Sequence, residues 1–226
     1  VANPGYIWNI KDVMKRAEAG EKLTIGFIGG SITQGSLSST PQKCYAYLVY
    51  EWWVRTFPQA EFKYVNAGIG GTTSQFGVAR AQDDLLDAEP DFVIAEFSVN
   101  DESTGHFEET YEGLVRKILS SKSHPALMLV HNVCYNNGAS AELVHSRIAR
   151  HYNIPSVSMQ STLYKALLNC RFDNRRITPD DLHPNDCGHE LVSMVITKRL
   201  EQIKNTVKAE YETAKSQRAA AQPDAG

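Results

Sequence analysis

A serine behind two glycines and a histidine three residues after an aspartate are the groups in this chain best suited to nucleophilic chemistry. The serine closes the stretch Leu23 to Gly35, which opens as an apolar run and ends Gly29-Gly30-Ser31-Ile32-Thr33-Gln34-Gly35. This pattern predicts a buried strand that stops abruptly and presents Ser31 just past its carboxyl end. A hydroxyl there could be a nucleophile, and equally a helix N-cap or a phosphate-loop residue. The stretch is not a P-loop, since no Gly-Lys-Ser/Thr follows, and Gly26, Gly29 and Gly30 have the wrong spacing for a dinucleotide loop. It also fails G-x-S-x-G, because Thr33 stands where the last glycine belongs.

The histidine lies in Asp180-Asp181-Leu182-His183-Pro184-Asn185. Pro184 fixes its own φ and biases His183 towards an extended backbone. On such a bent loop a carboxylate three residues before the histidine can reach back to the imidazole Nδ1, which leaves Nε2 free to take a proton from a serine. The three-residue spacing favours Asp180 as orienter over its neighbour Asp181. Two further polar turns belong with these: Gly68-Ile69-Gly70-Gly71-Thr72-Thr73 and Asn100-Asp101. Each piece has a plain structural alternative. His183 could bond a backbone carbonyl at the start of a helix, Asp180 could cap a loop, Asn100 could form an Asx-turn and Gly71 could serve only its turn. Explaining them together is what favours a reactive site.

The elements that must position these residues alternate along the chain. Strands are predicted over Leu23–Gly29, Glu61–Ala67, Asp91–Val99, Ala126–Val133 and Pro155–Met159. Helices are predicted over Tyr6–Ala19, Cys44–Phe57, Ser74–Ala88, Glu108–Ser121, Ser140–Tyr152, Gln160–Leu168 and Cys187 to about Lys208. Ser36–Lys43 reads as a polar loop and Cys170–Asp186 as an irregular charged one. Strand–helix alternation predicts a three-layer α/β/α sandwich around a five-stranded parallel sheet, of which the flavodoxin-like order 2-1-3-4-5 is the commonest form. Ligands in such folds bind at the carboxyl ends of the strands, near the switch point between strands one and three. Ser31, the Gly70-Gly71 turn and Asn100 all end strands at that edge. Tyr45 or Tyr47 could stack on a substrate, though their helical spacing favours the core. His131 at the end of strand four could touch one, His189 reads as a packing or surface residue, and Asp101 as a buttress for its loop.

Composition bounds the partners. The 226 residues suffice for one domain with a sizeable core. A net charge of −3 without a basic block excludes nucleic acid as an expected partner. No apolar run approaches membrane-spanning length. Cys44, Cys134, Cys170 and Cys187 form no C-x-x-C pair, which argues against zinc and fits free thiols in a reducing, cytoplasmic compartment. A removed signal peptide would make the protein secreted instead. The domain is expected over residues 1–208. Residues 209–226 read as a helix end and a tail or linker, which could lead to a carbohydrate-binding module.

Four blocks together resemble the SGNH, or GDSL-type, hydrolase family, from Gly29 to about Ile203. Gly29-Gly30-Ser31-Ile32-Thr33 is similar to its first block, Asn66 to Thr73 to the second with its glycine at Gly71, Ser98-Val99-Asn100-Asp101 to the third, and Asp180-Asp181-Leu182-His183 to the fifth. Gly30 replaces the family's usual aspartate, and Ser98-Val99 stand where glycines are frequent. The resemblance implies ester hydrolysis through an acyl-enzyme, with Ser31 as nucleophile, His183 as acid–base and Asp180 as its orienter. It further implies that the Ser31 and Gly71 N–H groups and the Asn100 amide hold the oxyanion, with neither metal nor organic cofactor required. The Gly-Gly-Ser-Ile-Thr form resembles the carbohydrate-esterase side of the family. The expected substrate is therefore a small-molecule or polysaccharide acyl ester, most simply an O-acetyl group on carbohydrate, with a general short-chain esterase or thioesterase as the alternative. A flavodoxin-like binding module without chemistry, flavin-binding through Gly29 to Gly35, is the alternative of a different class; it gives no reason for Asp180 and His183.

Overall fold

The computed structural model describes residues 2–207. The expected tail, residues 209–226, and Lys208 lie outside the described residues. After α1 (Trp8–Glu18) come β1 (Lys22–Gly29), α2 (Ser31–Gln34), α3 (Tyr45–Thr56), β2 (Glu61–Gly68), α4 (Ser74–Asp84), β3 (Phe92–Glu96) and α5 (Gly105–Leu119). The chain continues through β4 (Ala126–His131), α6 (Glu142–His151), β5 (Ser156–Ser158), α7 (Lys165–Leu168) and α8 (Asp186–Asn205). The strands form one parallel sheet in the order β2-β1-β3-β4-β5, as expected from the alternation.

Side chains alternate across the strands, so each strand feeds two cores. Ile25, Phe27, Phe92, Ile94, Met128 and Val130 pack under α1, α3 and α8, while Ile28, Val93, Ala95, Leu127 and Leu129 pack under α4, α5 and α6. β3 and β4 are buried at every position, which is why both read as continuous apolar runs. Trp53 anchors the first core, with its ring centroid 5.5 Å from Phe57, 5.3 Å from Phe92 and 6.2 Å from Phe62.

Several element ends depart from expectation for local reasons. β3 stops at Glu96 because Asn100 and Asp101 both donate their N–H to the Phe97 carbonyl, which turns the chain out of the sheet. The predicted Ser74–Ala88 helix breaks after Asp84 and resumes as a 3₁₀ turn, Leu86–Ala88. The buried face of α4 is Ser74, Gly77, Arg80 and Ala81, and Phe76 is exposed. Gly77 lies against the Phe97 ring, and the Arg80 guanidinium donates to the Ala67 and Gly29 carbonyls at the strand ends. The Gln160–Leu168 helix begins as a π-helical turn over Gln160–Tyr164. All four cysteines are free, and no described helix is long and apolar enough to cross a membrane.

Candidate active site

Ser31 begins the four-residue helix α2, which the sequence pattern missed. The serine is 6% exposed. α2 is braced from below: Thr33 Oγ1 and the Tyr45 hydroxyl share a 2.8 Å hydrogen bond, and Asn66 Nδ2 donates to the Thr33 carbonyl at 2.8 Å. Tyr45 is thereby committed to the core, sealed from any substrate. Tyr47 packs edge-on against Tyr64 and tilted against Tyr50.

The loop before α8 brings the imidazole to the serine across 152 residues of chain. His183 Nε2 lies 2.9 Å from Ser31 Oγ, and His183 Nδ1 lies 2.6 Å from Asp180 Oδ2. The other carboxylate oxygen, Oδ1, accepts the N–H groups of Leu182 (3.0 Å) and His183 (2.7 Å) and the Thr178 hydroxyl (3.1 Å). Burial acts to raise the Asp180 pKa, but the bonds from the His183 ring, these N–H groups and Thr178 outweigh it and hold the carboxyl at about 2. An ionised Asp180 places the proton on Nδ1 and leaves the Nε2 lone pair facing the serine hydroxyl. Asp181 points elsewhere. Its carboxylate takes Asn174 Nδ2 at 2.5 Å and Arg175 Nη2 at 3.0 Å, and its backbone turns through φ +68°. Asn185 then caps α8, accepting the Gly188 N–H at 3.0 Å, so the helix starts immediately after the loop.

The two other turns close on the same point. Gly70 donates its N–H to Gln34 Oε1 at 2.9 Å, and a Cβ built on Gly70 would sit 3.7 Å from Ser31 Cβ. Gly71 follows at φ +70°, a conformation that favours glycine. Asn100 lays its amide on Gly30, where a Cβ would stand 2.3 Å from Oδ1 and 3.3 Å from Nδ2. Among the described residues the N–H groups of Ser31 and Gly71 and the Asn100 Nδ2 donate to nothing. The arrangement can therefore pass a proton from Ser31 Oγ to Nε2, stabilise the resulting imidazolium with a carboxylate, and offer free N–H donors to an anionic oxygen.

Other candidates belong to the support. His131 is fully buried and cannot touch a substrate; burial, reinforced by His145, lowers its pKa to about 3. His189 is a packing residue, accepting the Tyr45 N–H at Nδ1 and meeting the Ser36 carbonyl at Nε2, each at 3.2 Å. Asp101 accepts the Ser74 N–H at 2.9 Å and meets His145 Nε2 at 3.0 Å. Asp186 takes the Ser39 N–H (2.7 Å), its hydroxyl (2.8 Å) and Lys43 Nζ (2.7 Å), tying the Ser36–Lys43 loop to α8. Partners such as Ser74, His145 and Ser39 carry no spacing signal, because they meet only through the tertiary fold. Among the described residues no group of three or more His, Cys, Asp or Glu could hold a metal ion.

The chain resembles known proteins over most of its length. The family model described as GDSL-like lipase/acylhydrolase matches residues 27–191. The thioesterase 1/protease 1/lysophospholipase L1 of Escherichia coli K12 is 26% identical over 201 residues, covering 84% of this chain and 88% of that protein. A two-domain esterase active on acetylated mannans, co-crystallized with mannopentaose, is 68% identical and superposes with a TM-score of 0.90 over 91% of this chain. The match covers 56% of that esterase, so the chain spans little more than half its length. An acetylxylan esterase from Geobacillus stearothermophilus, crystallized as a catalytic mutant, shares the fold at 18% identity and a TM-score of 0.66, over 78% of this chain and 93% of its own.

Proposed function

The chain belongs to the GDSL-like lipase/acylhydrolase family, and from that footing we propose that it is a serine carboxylic-ester hydrolase that removes acetyl groups from carbohydrate. The observation that carries the chemistry is the continuous chain Ser31 Oγ–His183 Nε2 at 2.9 Å and His183 Nδ1–Asp180 Oδ2 at 2.6 Å, beside unpaired N–H donors. Ser31 Oγ attacks the acetyl carbonyl while His183 Nε2 takes its proton. Asp180 holds the imidazole tautomer and stabilises the imidazolium. The anionic carbonyl oxygen is received by the N–H groups of Ser31 and Gly71 and by Asn100 Nδ2, groups already fixed before the reaction. His183 then gives that proton to the sugar's ester oxygen as its bond to the acetyl carbon breaks, and the sugar leaves with a free hydroxyl. Water enters and gives a proton to Nε2 as its oxygen bonds the acetyl carbon; the bond to Ser31 Oγ then breaks, Nε2 returns the proton to Oγ, and the product leaves and ionises to acetate.

Support for acetylated carbohydrate comes from the 68% identity to an esterase active on acetylated mannans. In the loop beyond β3 the exposed residues, Glu102, Ser103 and Thr104, are also polar, which suits a hydroxyl-rich substrate better than an acyl chain. A thioesterase reading is kept open by the E. coli relative. Acetate release from acetylated mannan, acetylated xylan and small acetylated sugars, with Ser31→Ala as control, tests the proposal. Release that Ser31→Ala abolishes supports it. Failure on every glycan, with rapid cleavage of acyl thioesters, would replace it by the thioesterase reading.

A further inference from the structure

We propose that His145 is a positioning residue for this reaction: through the Asp101 carboxylate it holds together the two turns that carry the Gly71 N–H and the Asn100 amide. The proposal rests on the reading of those groups as oxyanion donors. Asp101 follows Asn100 directly, and its Oδ1 accepts the N–H of Ser74, the first residue of α4 and three residues beyond Gly71. Thr73, the N-cap of α4, makes no side-chain capping bond, so Asp101 supplies that acceptor from another strand's loop. One carboxylate thus spans both turns, and its own position fixes their separation.

His145 fixes the carboxylate. Its Nε2 is 3.0 Å from Asp101 Oδ2, and both side chains are fully buried. The ring lies flat on Tyr111, with centroids 3.6 Å apart and planes at 9°. Nδ1 is buried without a hydrogen-bond partner among the described residues. Burial lowers the imidazole pKa against the pull of Asp101, so the ring is neutral and its single proton sits on Nε2, donated to the carboxylate. A buried carboxylate facing imidazole is not the arrangement packing alone would select, since apolar groups of the same volume are often as stable or more so. What the pair adds is a fixed direction: the stack sets the ring, the ring sets Oδ2, and Oδ1 sets the start of α4.

The test is kinetic. His145→Phe keeps an aromatic ring against Tyr111 and removes the N–H donor. Its far-UV circular dichroism should be native, its kcat on p-nitrophenyl acetate about tenfold or more lower, and its KM within about twofold of wild type, since a misplacement near 1 Å costs up to about 10² in rate. His145→Gln, whose amide can set an N–H near the position of Nε2, should recover most of the loss. In an Asn100→Ala background the His145→Phe change should cost distinctly less than in wild type, because one positioned donor is already absent. A His145→Phe protein with wild-type kcat would overturn the proposal. So would equal losses in the two backgrounds, or a glutamine variant no better than phenylalanine. Should His145→Phe not fold, Asp101→Ala reads the same link from the other side: it removes the acceptor of both His145 Nε2 and the Ser74 N–H, and unchanged kcat would refute the link. The underlying site reading fails differently, by wild-type esterase activity that Ser31→Ala leaves intact.

Discussion

Gly30→Ala offers the sharpest test of how the proposed oxyanion donors are set. A Cβ on Gly30 would stand 2.3 Å from Asn100 Oδ1 and 3.0 Å from Cγ, and real Cβ atoms essentially never approach another heavy atom within 3.0 Å. The amide must therefore retreat by at least about 0.7 Å, starting from a position where Oδ1 is buried without a partner. A displacement of that size takes Nδ2 out of reach of an oxyanion aligned with the other two donors. Complete loss of one such donor costs ~2.7–4 kcal/mol, about 10²–10³ in kcat. Partial loss by a shift near 1 Å costs up to about 10². Gly30→Ala should thus lower kcat on p-nitrophenyl acetate by about 10–10² with KM little changed, and Asn100→Ala by about 10²–10³. The double variant should be no slower than Asn100→Ala alone, because the methyl acts only through the amide. Full kcat in Gly30→Ala, or multiplicative losses in the double variant, would refute the reasoning and remove Asn100 as the donor that Gly30 accommodates.

Three further outcomes follow from the same geometry. Asp180→Asn should drop kcat by about 10⁴, as expected when the imidazole loses its orienting carboxylate, while Asp181→Asn should stay within about tenfold of wild type; the reverse order would reassign the orienter. Burial pushes the fully buried Glu96 carboxyl up from the usual 4.5 to about 7, against hydrogen bonds from the Ser98 side chain and N–H. The unfolded chain then binds fewer protons than the folded one between those values, so Glu96 destabilises the fold increasingly from pH 4.5 to about 7, by about 3 kcal/mol at the top of the range. Glu96→Gln keeps the Oε1 acceptor, and its stability advantage by urea unfolding should grow across that window; an advantage flat with pH would contradict the assignment. Trp53→Ala should cost about 3–5 kcal/mol of unfolding free energy, since its ring is fully buried among Phe57, Phe62 and Phe92.

Much of the architecture was legible because its signals are local. Ile10, Val13, Met14 and Ala17 form the buried face of α1 with Ile7 buried at its N-cap, and the largely apolar runs Phe92–Glu96 and Ala126–His131 are buried at every position. The failures occur where a distant partner decides. Glu96 ends a strand whose pattern runs on to Val99, because the chain must turn for Asn100 and Asp101 to reach Phe97 O. Arg80 is buried on α4, against its type, because the Ala67 and Gly29 carbonyls and the Asp84 carboxylate all accept from its guanidinium. At the site, Asp180 and His183 were readable because they meet across three residues. The contact with Ser31 is an expectation from the sheet edge, the Asp-x-x-His spacing and the family resemblance together, and the structure brings it to 2.9 Å. The Asp101–His145 pair, 44 residues apart, left no pattern to find.

The two departures from the family's usual blocks meet in one contact. Gly30 stands where an aspartate is usual, and Ser98-Val99 where glycines are frequent. In the fold, Asn100 rests on Gly30, and Ser98 is bound on three sides: its N–H and hydroxyl donate to Glu96 Oε1 and its carbonyl accepts the Ala141 N–H at 2.7 Å. A loop held this firmly cannot move away from a side chain at position 30. Removal of the Cβ there is then the compensation that lets the amide keep its place beside Ser31. By the same logic, freedom in one block would require bulk in the other. A chain with an aspartate at position 30 should need the flexible glycines in its third block, and introducing aspartate here without loosening Ser98 should displace Asn100 further than alanine does.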